Sequence, residues 1–265
     1  ICYPDARNMK EIENFANKII KNFVKPFSIA GSTLYVTVSI GIAVYPEHGT
    51  TIEELLQHAD LAMYKAKSDG KNRYCIYNRE LQVEFDKRMK IEKNLRTALT
   101  NSEFSLYYQP QVDILNGKIA GFEALLRWNS PELGPVPPLD FIGVAEETHL
   151  IIPIGKWVLK NACMFLKKLS DMGYRNLMIA VNVSILQLLQ DDFVDTVLNT
   201  IRAAGLQPRN VELEITESIL MQSFQTIRQR LLQLRKAGVR IALDDFGKGY
   251  SSLSYLEQLP ISTLK

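Results

Sequence analysis

What this chain has little of narrows its class before any motif is read. Its three cysteines, Cys2, Cys75 and Cys163, are odd in number and far apart. That excludes a disulfide framework and any cysteine-based zinc spacing, and it suits a reducing, cytoplasmic setting. No apolar run approaches the roughly 18 residues that a membrane span needs, and no signal-peptide pattern opens the chain. Neither sign of charge is in excess. The formal net charge is +2, which by itself marks no surface for a nucleic-acid polymer. What is present, 46% apolar and 23% charged residues over 265 positions, describes an ordinary globular protein long enough for one large barrel or two domains. The opening run from Ile1 to Pro4 reads as the end of a strand already in progress, so more chain is expected ahead of it.

One stretch organises the rest. From Ile241 to Ser252 a short β-prone run ends in two adjacent carboxylates, Asp244 and Asp245, and then breaks at Gly247 and Gly249. Side chains alternate along a strand, so both aspartates can reach one place only if Asp244 closes the strand and Asp245 sits on the turn. Two neighbouring carboxylates repel unless they are solvated or offset by a cation. A solvated Asp-Asp cap before a glycine loop and a ligand-binding turn both fit this stretch alone.

The periodicities ahead of it predict helix over 8–23, strand over 34–45, helix from a Thr51–Glu54 capping box to Gly70, and strand over 74–77. Leu81, Phe85, Met89, Ile91, Leu95 and Leu99 make 79–100 an amphipathic helix, either a signal-transmitting linker or a packed spacer. Two strands flanking Asn116-Gly117 form a hairpin. Helices over 154–172, 187–204 and 219–236 then alternate with strands over 177–184, 211–217 and 240–245, and Thr263 begins another. Such alternation implies a parallel sheet, here a TIM-like barrel. The resulting division is an α/β unit over 1–79, a connecting helix over 80–101 and the barrel region over 102–265.

The polar residues of the barrel strands share a register. Asn182 stands on the face of Ala180 and Ser184, opposite Ile179, Val181 and Val183. Glu212, Glu214 and Thr216 oppose Val211, Leu213 and Ile215, and Gly121, Glu123, Leu125 and Arg127 share one face of the hairpin strand. Buried parallel strands normally read as unbroken apolar runs. Amide and acid groups on one face of three strands, with Asp244 ending a fourth, imply convergence on a polar site at the strands' C-terminal ends. Oxygen donors of this kind suit Mg²⁺ or Mn²⁺ rather than zinc.

Two resemblances follow from the wording. Val38 to Ala43, Ala59 to Lys67 and Gly70-Lys71-Asn72 resemble the C-terminal half of a GGDEF diguanylate cyclase domain, which implies a place for Lys67 and Lys71 near substrate phosphates. Both also read as solvated lysines at a helix end. The family's signature hairpin and first metal-binding aspartate belong ahead of Ile1, so no cyclase activity is expected. Glu123-Ala124-Leu125-Leu126-Arg127-Trp128, Asn182-Val183-Ser184, Glu214-Ile215-Thr216-Glu217 and Asp244-Asp245-Phe246-Gly247 closely resemble an EAL domain, the cyclic di-GMP phosphodiesterase family. The chain is thus similar to the interior of a GGDEF–EAL protein.

That resemblance implies a (β/α)₈ barrel, incomplete here, whose first strand runs antiparallel. It also implies a two-metal site of Mg²⁺ or Mn²⁺ in which Glu123, Asn182, Glu214 and Asp244 hold the first ion and Asp245 helps hold a second. Lys265 contacts the attacking water or a metal-bound oxygen, and Glu217 steadies the Asp-Asp-Phe-Gly loop through hydroxyls such as Ser251 and Ser252. Arg127 and Gln109 bind substrate. The implied reaction opens one 3′–5′ diester of cyclic di-GMP to linear pGpG, in a cytoplasmic homodimer assembled through the EAL domain. The family's general base lies beyond Lys265, so these 265 residues alone are expected to be inactive. Lys248 stands where the family usually has threonine, and His149 where it usually has glycine. A non-catalytic cyclic di-GMP receptor is the alternative, although such a receptor could lose the ligand set without penalty and here every ligand expected from the first half of the domain is kept.

Overall fold

The computed structural model describes residues 2–4, 6, 8–29, 31–216, 223–245, 247 and 258–265. They fall into two compact units, 1–89 and 90–265.

In the first unit α1 (Met9–Asn22) starts where the Glu11 N–H donates to the Asn8 side chain at 3.0 Å, a cap that satisfies one of the helix's orphan donors. β1 (Phe27–Ile29) and β2 (Ser32–Leu34) form an antiparallel pair, and β3 (Ile40–Ile42) runs parallel to β4 (Tyr74–Ile76). Between them lies α2 (Ile52–Ser68), opened by the expected reciprocal cap: the Glu54 N–H donates to Thr51 Oγ1 and the Thr51 N–H to Glu54 Oε2, each at 3.2 Å. The strand expected over 34–45 is reduced to Leu34, at the end of β2, and Ile40–Ile42. Strand formation needs a ladder partner as well as β-prone residues. Only Leu34, against Phe27, and Ile40–Ile42, against Tyr74–Ile76, have one among the described residues.

Gly41 shows how closely α2 lies on this sheet. A Cβ there would fall 1.8 Å from the Ala59 carbonyl oxygen and 2.2 Å from the Met63 backbone nitrogen, so the helix backbone itself packs on the strand. Gly41→Ala is therefore expected to destabilise the first unit by about 1–3 kcal/mol, the usual cost of overpacking. Urea denaturation followed by far-UV circular dichroism measures it, and an unchanged midpoint would contradict the packing.

α3 (Arg79–Ala98) crosses the division, contributing Leu81 to the first core and Ile91, Leu95 and Ala98 to the second. In the second unit β5 (Phe104–Val112) and β6 (Ile119–Ser130) pair antiparallel. Their turn is a four-residue loop, 114–117, closed by the Asp113 N–H donating to Lys118 O at 2.9 Å, with Gly117 at φ +68°. β7 (Gly134–Val136) folds back on the end of β6. Next come α4 (Pro138–Glu147), α5 (Ile151–Asp171), β8 (Met178–Asn182), α6 (Ile185–Leu188), α7 (Phe193–Ala203), β9 (Val211–Thr216), α8 (Phe224–Lys236), β10 (Arg240–Asp244) and β11 (Thr263–Leu264). One sheet runs β5-β6-β8-β9-β10-β11. Its first pair is antiparallel and every later pair parallel, the ordering of a TIM-like barrel wall with a reversed first strand.

The outward residues Ile179, Val181, Leu213, Ile215, Ile241 and Leu243 are at most 2% exposed. They pack with helix residues such as Leu159, Ala162, Val197, Ile227 and Leu231. Each such aliphatic burial is worth about 1.5–3 kcal/mol, which holds the alternate, inward residues in place.

Two sequence expectations are corrected. The helix expected over 187–204 is two helices, because Ser184 caps α6 together with Gln187, while α7 restarts at Asp192, whose carbonyl accepts from the Thr196 N–H at 2.8 Å. The strand expected over 177–184 stops at Asn182: the Val183 N–H makes the last ladder bond, to Glu214 O at 2.9 Å, and Ser184 already caps the next helix. Residues 219–222 of the helix expected over 219–236 lie outside the described residues. No described helix is long and apolar enough to cross a membrane.

His149, between α4 and α5, has φ +59°. A left-handed backbone costs a side-chain-bearing residue about 1–2 kcal/mol, partly offset in glycine by a more flexible unfolded chain. His149→Gly should therefore stabilise the second unit by about 0.5–1 kcal/mol and raise its melting temperature by about 1–4 °C. A lower melting temperature would show that the imidazole holds the loop.

Candidate active site

The strand registers bring the inward polar residues together. Glu123 of β6 lies beside Ala180 of β8 and directly across the antiparallel pair from Gln109 of β5. Asn182 is the last residue of β8 and neighbours Glu214 of β9, which on its other side meets Ala242 of β10. Asp244 is the last residue of β10. The small inward residues Ala180 and Ala242 separate these groups and leave room for side chains to reach across the wall.

Within hydrogen-bonding reach, Asn182 Nδ2 donates to Glu123 Oε1 at 2.9 Å. Glu214 is 1% exposed, and its Oε2 has no hydrogen-bond partner among the described residues. Burial pushes its carboxyl pKa up, and the negative charges of Glu123 and Asp244 push the same way, against the lowering effect of Lys265. Lys265 follows β11, and its Nζ donates to Glu214 Oε1 while lying 3.7 Å from Glu212 Oε1. Asp245 turns off the strand at φ +57° and its N–H donates to Asp244 Oδ1 at 2.9 Å. Aspartate tolerates that conformation better than most residues. Asp244 thus closes the strand while its neighbour stands on the turn.

A buried carboxylate oxygen without a partner, flanked by further carboxylates, calls for positive charge. The donor set of carboxylates and one amide is the kind that hard divalent cations take. Among the described residues no three acidic, histidine or cysteine side chains are already drawn into a finished cage. Asn182 is bonded to Glu123, and the Lys265 ammonium lies against Glu214.

Arg127 is on the same strand face as Glu123, four residues on, which spaces the two Cα atoms by about 13 Å. Its guanidinium carbon lies 5.4 Å from the Tyr107 ring centroid, and Nη1 donates to Leu126 O at 2.8 Å. Tyr107 is a residue that the sequence reading missed. The hairpin register pairs Tyr107 with Leu125 and Ser105 with Arg127, which puts the ring on the guanidinium's face. The signal lay in that register, not in any motif. Gln109, opposite Glu123, is exposed. Glu217, Lys248, Ser251 and Ser252 lie outside the described residues. Ser184 serves locally, its hydroxyl donating to Glu146 Oε1 at 2.5 Å.

Comparison with known proteins agrees in kind. Residues 92–265 match the EAL domain family and residues 1–73 the diguanylate cyclase GGDEF domain family. The chain is 41% identical over 261 residues to the bifunctional diguanylate cyclase/cyclic di-GMP phosphodiesterase MucR of Pseudomonas aeruginosa, covering 98% of this chain and 38% of that protein. It is 37% identical over 254 residues to the cyclic di-GMP phosphodiesterase PdeR of Escherichia coli, covering 96% of this chain and 38% of that protein. It therefore spans little more than a third of the length of these relatives. Among solved structures, the PaMucR phosphodiesterase in complex with c-di-GMP superposes with a TM-score of 0.63 at 43% identity, covering 66% of this chain and 71% of that one.

Proposed function

Because the chain belongs to the EAL domain family over residues 92–265, preceded by a GGDEF-family segment over 1–73, we propose that its protein is a metal-dependent cyclic di-GMP phosphodiesterase. In this reading 102–265 is the catalytic barrel portion, 80–101 the connecting helix and 1–79 the GGDEF portion. One observation carries the reading: buried Glu214, in register beside Asn182 and bonded through Oε1 to Lys265, has a second carboxylate oxygen with no hydrogen-bond partner among the described residues, while Asn182 reaches Glu123 and the next strand ends in Asp244. The charge balance supports it. If the Lys265 ammonium is matched to Glu212, the carboxylates of Glu123, Glu214, Asp244 and Asp245 leave four negative charges, the complement of two divalent cations.

Glu123, Asn182, Glu214 and Asp244 would hold one Mg²⁺ or Mn²⁺, and Asp245 would share a second. Ions bound there would supply a water of lowered pKa and would neutralise a phosphate oxygen. Lys265, whose ammonium lies against Glu214, would contact the attacking water or a metal-bound oxygen. Arg127, braced on Tyr107 and the Leu126 carbonyl, takes the far phosphate, and Gln109 contributes an amide beside Glu123. Addition of one water across one 3′–5′ diester breaks a phosphorus–oxygen bond and gives linear pGpG. The test is to incubate the full-length protein with cyclic di-GMP and Mg²⁺ and to resolve products by chromatography and mass spectrometry. Accumulation of pGpG, lost on chelation, is expected. Tight binding with no turnover would make the protein a receptor.

A further inference from the structure

We infer that Glu212, outside the proposed metal-ligand set, is a positioning residue that fixes the Lys265 ammonium at the site. This rests on the phosphodiesterase reading and adds a residue to it. Glu212 is 3% exposed, a buried carboxylate one alternation below Glu214 on β9. Burying such a group is costly unless it is paired and hydrogen-bonded. The strand register offers Arg240 of β10 as the adjacent residue. The pairing goes elsewhere: Oε2 accepts from Thr263 Oγ1 at 3.0 Å and Oε1 lies 3.7 Å from Lys265 Nζ.

Thr263 opens the last strand and Lys265 directly follows it, two residues on, so that both side chains reach the same carboxylate. One carboxylate on β9 thus reaches across β10 to both. Ala242, in register with Glu214 and with Thr263, is the small residue over which it passes. Lys265 has a second carboxylate, Glu214, but Glu214 is a proposed metal ligand and a cation held there repels an ammonium. Glu212 is the anchor that coordination leaves in place, and the Thr263 hydroxyl fixes its direction.

The experiment is a mutant cycle in the full-length protein. Glu212→Gln, which keeps the shape and an acceptor for Thr263, is expected to lower kcat for cyclic di-GMP about 10–100-fold, the usual effect of losing an orienting partner. KM and the Mn²⁺ affinity from titration calorimetry should each stay within about threefold, since neither substrate nor metal contact is removed. Thr263→Val should lower kcat about 2–10-fold, the worth of one hydrogen bond. In a Lys265→Ala background both substitutions should have almost no further effect, because groups acting through one another are not additive. Multiplying losses in the double variants, or a tenfold loss of Mn²⁺ affinity in Glu212→Gln, would overturn the inference. Should Glu212→Gln fail to fold, the Thr263→Val cycle alone decides. A wild-type protein that binds cyclic di-GMP without hydrolysing it would sink the phosphodiesterase reading itself, and this inference with it. Additive losses in an active enzyme sink the inference alone.

Discussion

Asp244→Asn in the full-length protein is expected to lower Mg²⁺-dependent hydrolysis of cyclic di-GMP by about 10³-fold or more while leaving the fold intact. A metal site contributes several kcal/mol of transition-state stabilisation, and each 1.4 kcal/mol is a factor of ten. Asparagine is nearly isosteric and retains the oxygen that accepts the Asp245 N–H, so the end of β10 should not unravel. It also removes one of the negative charges that oppose ionisation of Glu214, so the melting temperature without metal should hold or rise. A variant that is inactive yet no less stable separates loss of chemistry from loss of fold. Undiminished turnover would remove the two-metal reading.

The second large effect concerns substrate affinity. Arg127→Ala should weaken cyclic di-GMP binding by about 1.5–3 kcal/mol, the worth of a hydrogen bond to a charged group. Metal affinity should change little, because about 13 Å of strand separates Arg127 from Glu123. The tyrosine beneath it refines the test. Tyr107→Phe keeps the ring face and should be near neutral, whereas Tyr107→Ala should cost about 0.5–1 kcal/mol of affinity through a less well-oriented guanidinium. Calorimetry that finds equal nucleotide affinity in Arg127→Ala would rule out its phosphate role.

The legible parts of this molecule are those written in local period. Glu212 and Glu214 alternate with Val211, Leu213 and Ile215, and that alternation alone announced a strand apolar on one side and polar on the other. Thr51 and Glu54 announced their cap in the same way, because both partners lie within one helical turn. What sequence could not supply was pairing. The 34–45 run has strand chemistry throughout, but strand structure appears only where Phe27 or Tyr74–Ile76 lies alongside. The break between α6 and α7 was hidden because Ile185, Leu189, Phe193 and Val197, four residues apart, continue an apolar periodicity across it. At the site, the motifs named Glu123, Asn182 and Asp244. The contacts of Lys265 with Glu212 and Glu214 join residues about fifty positions apart, and nothing local predicts which carboxylate an ammonium will choose.

The alternation along β8, β9 and β10 has an evolutionary consequence. Odd positions carry the cohesion of the domain, and even positions carry the side chains of the proposed site. The two sets occupy opposite sides of the same backbone, so inheritance can edit one without disturbing the other. In the phosphodiesterase proposed above, a single exchange at Asn182, Glu214 or Asp244 would silence hydrolysis and leave the helices seated on Ile179, Leu213 and Ile241. A lineage of such an enzyme could then keep it as a sensor of the same nucleotide. The way back is equally short, since the scaffold that would hold a restored ligand has not been lost.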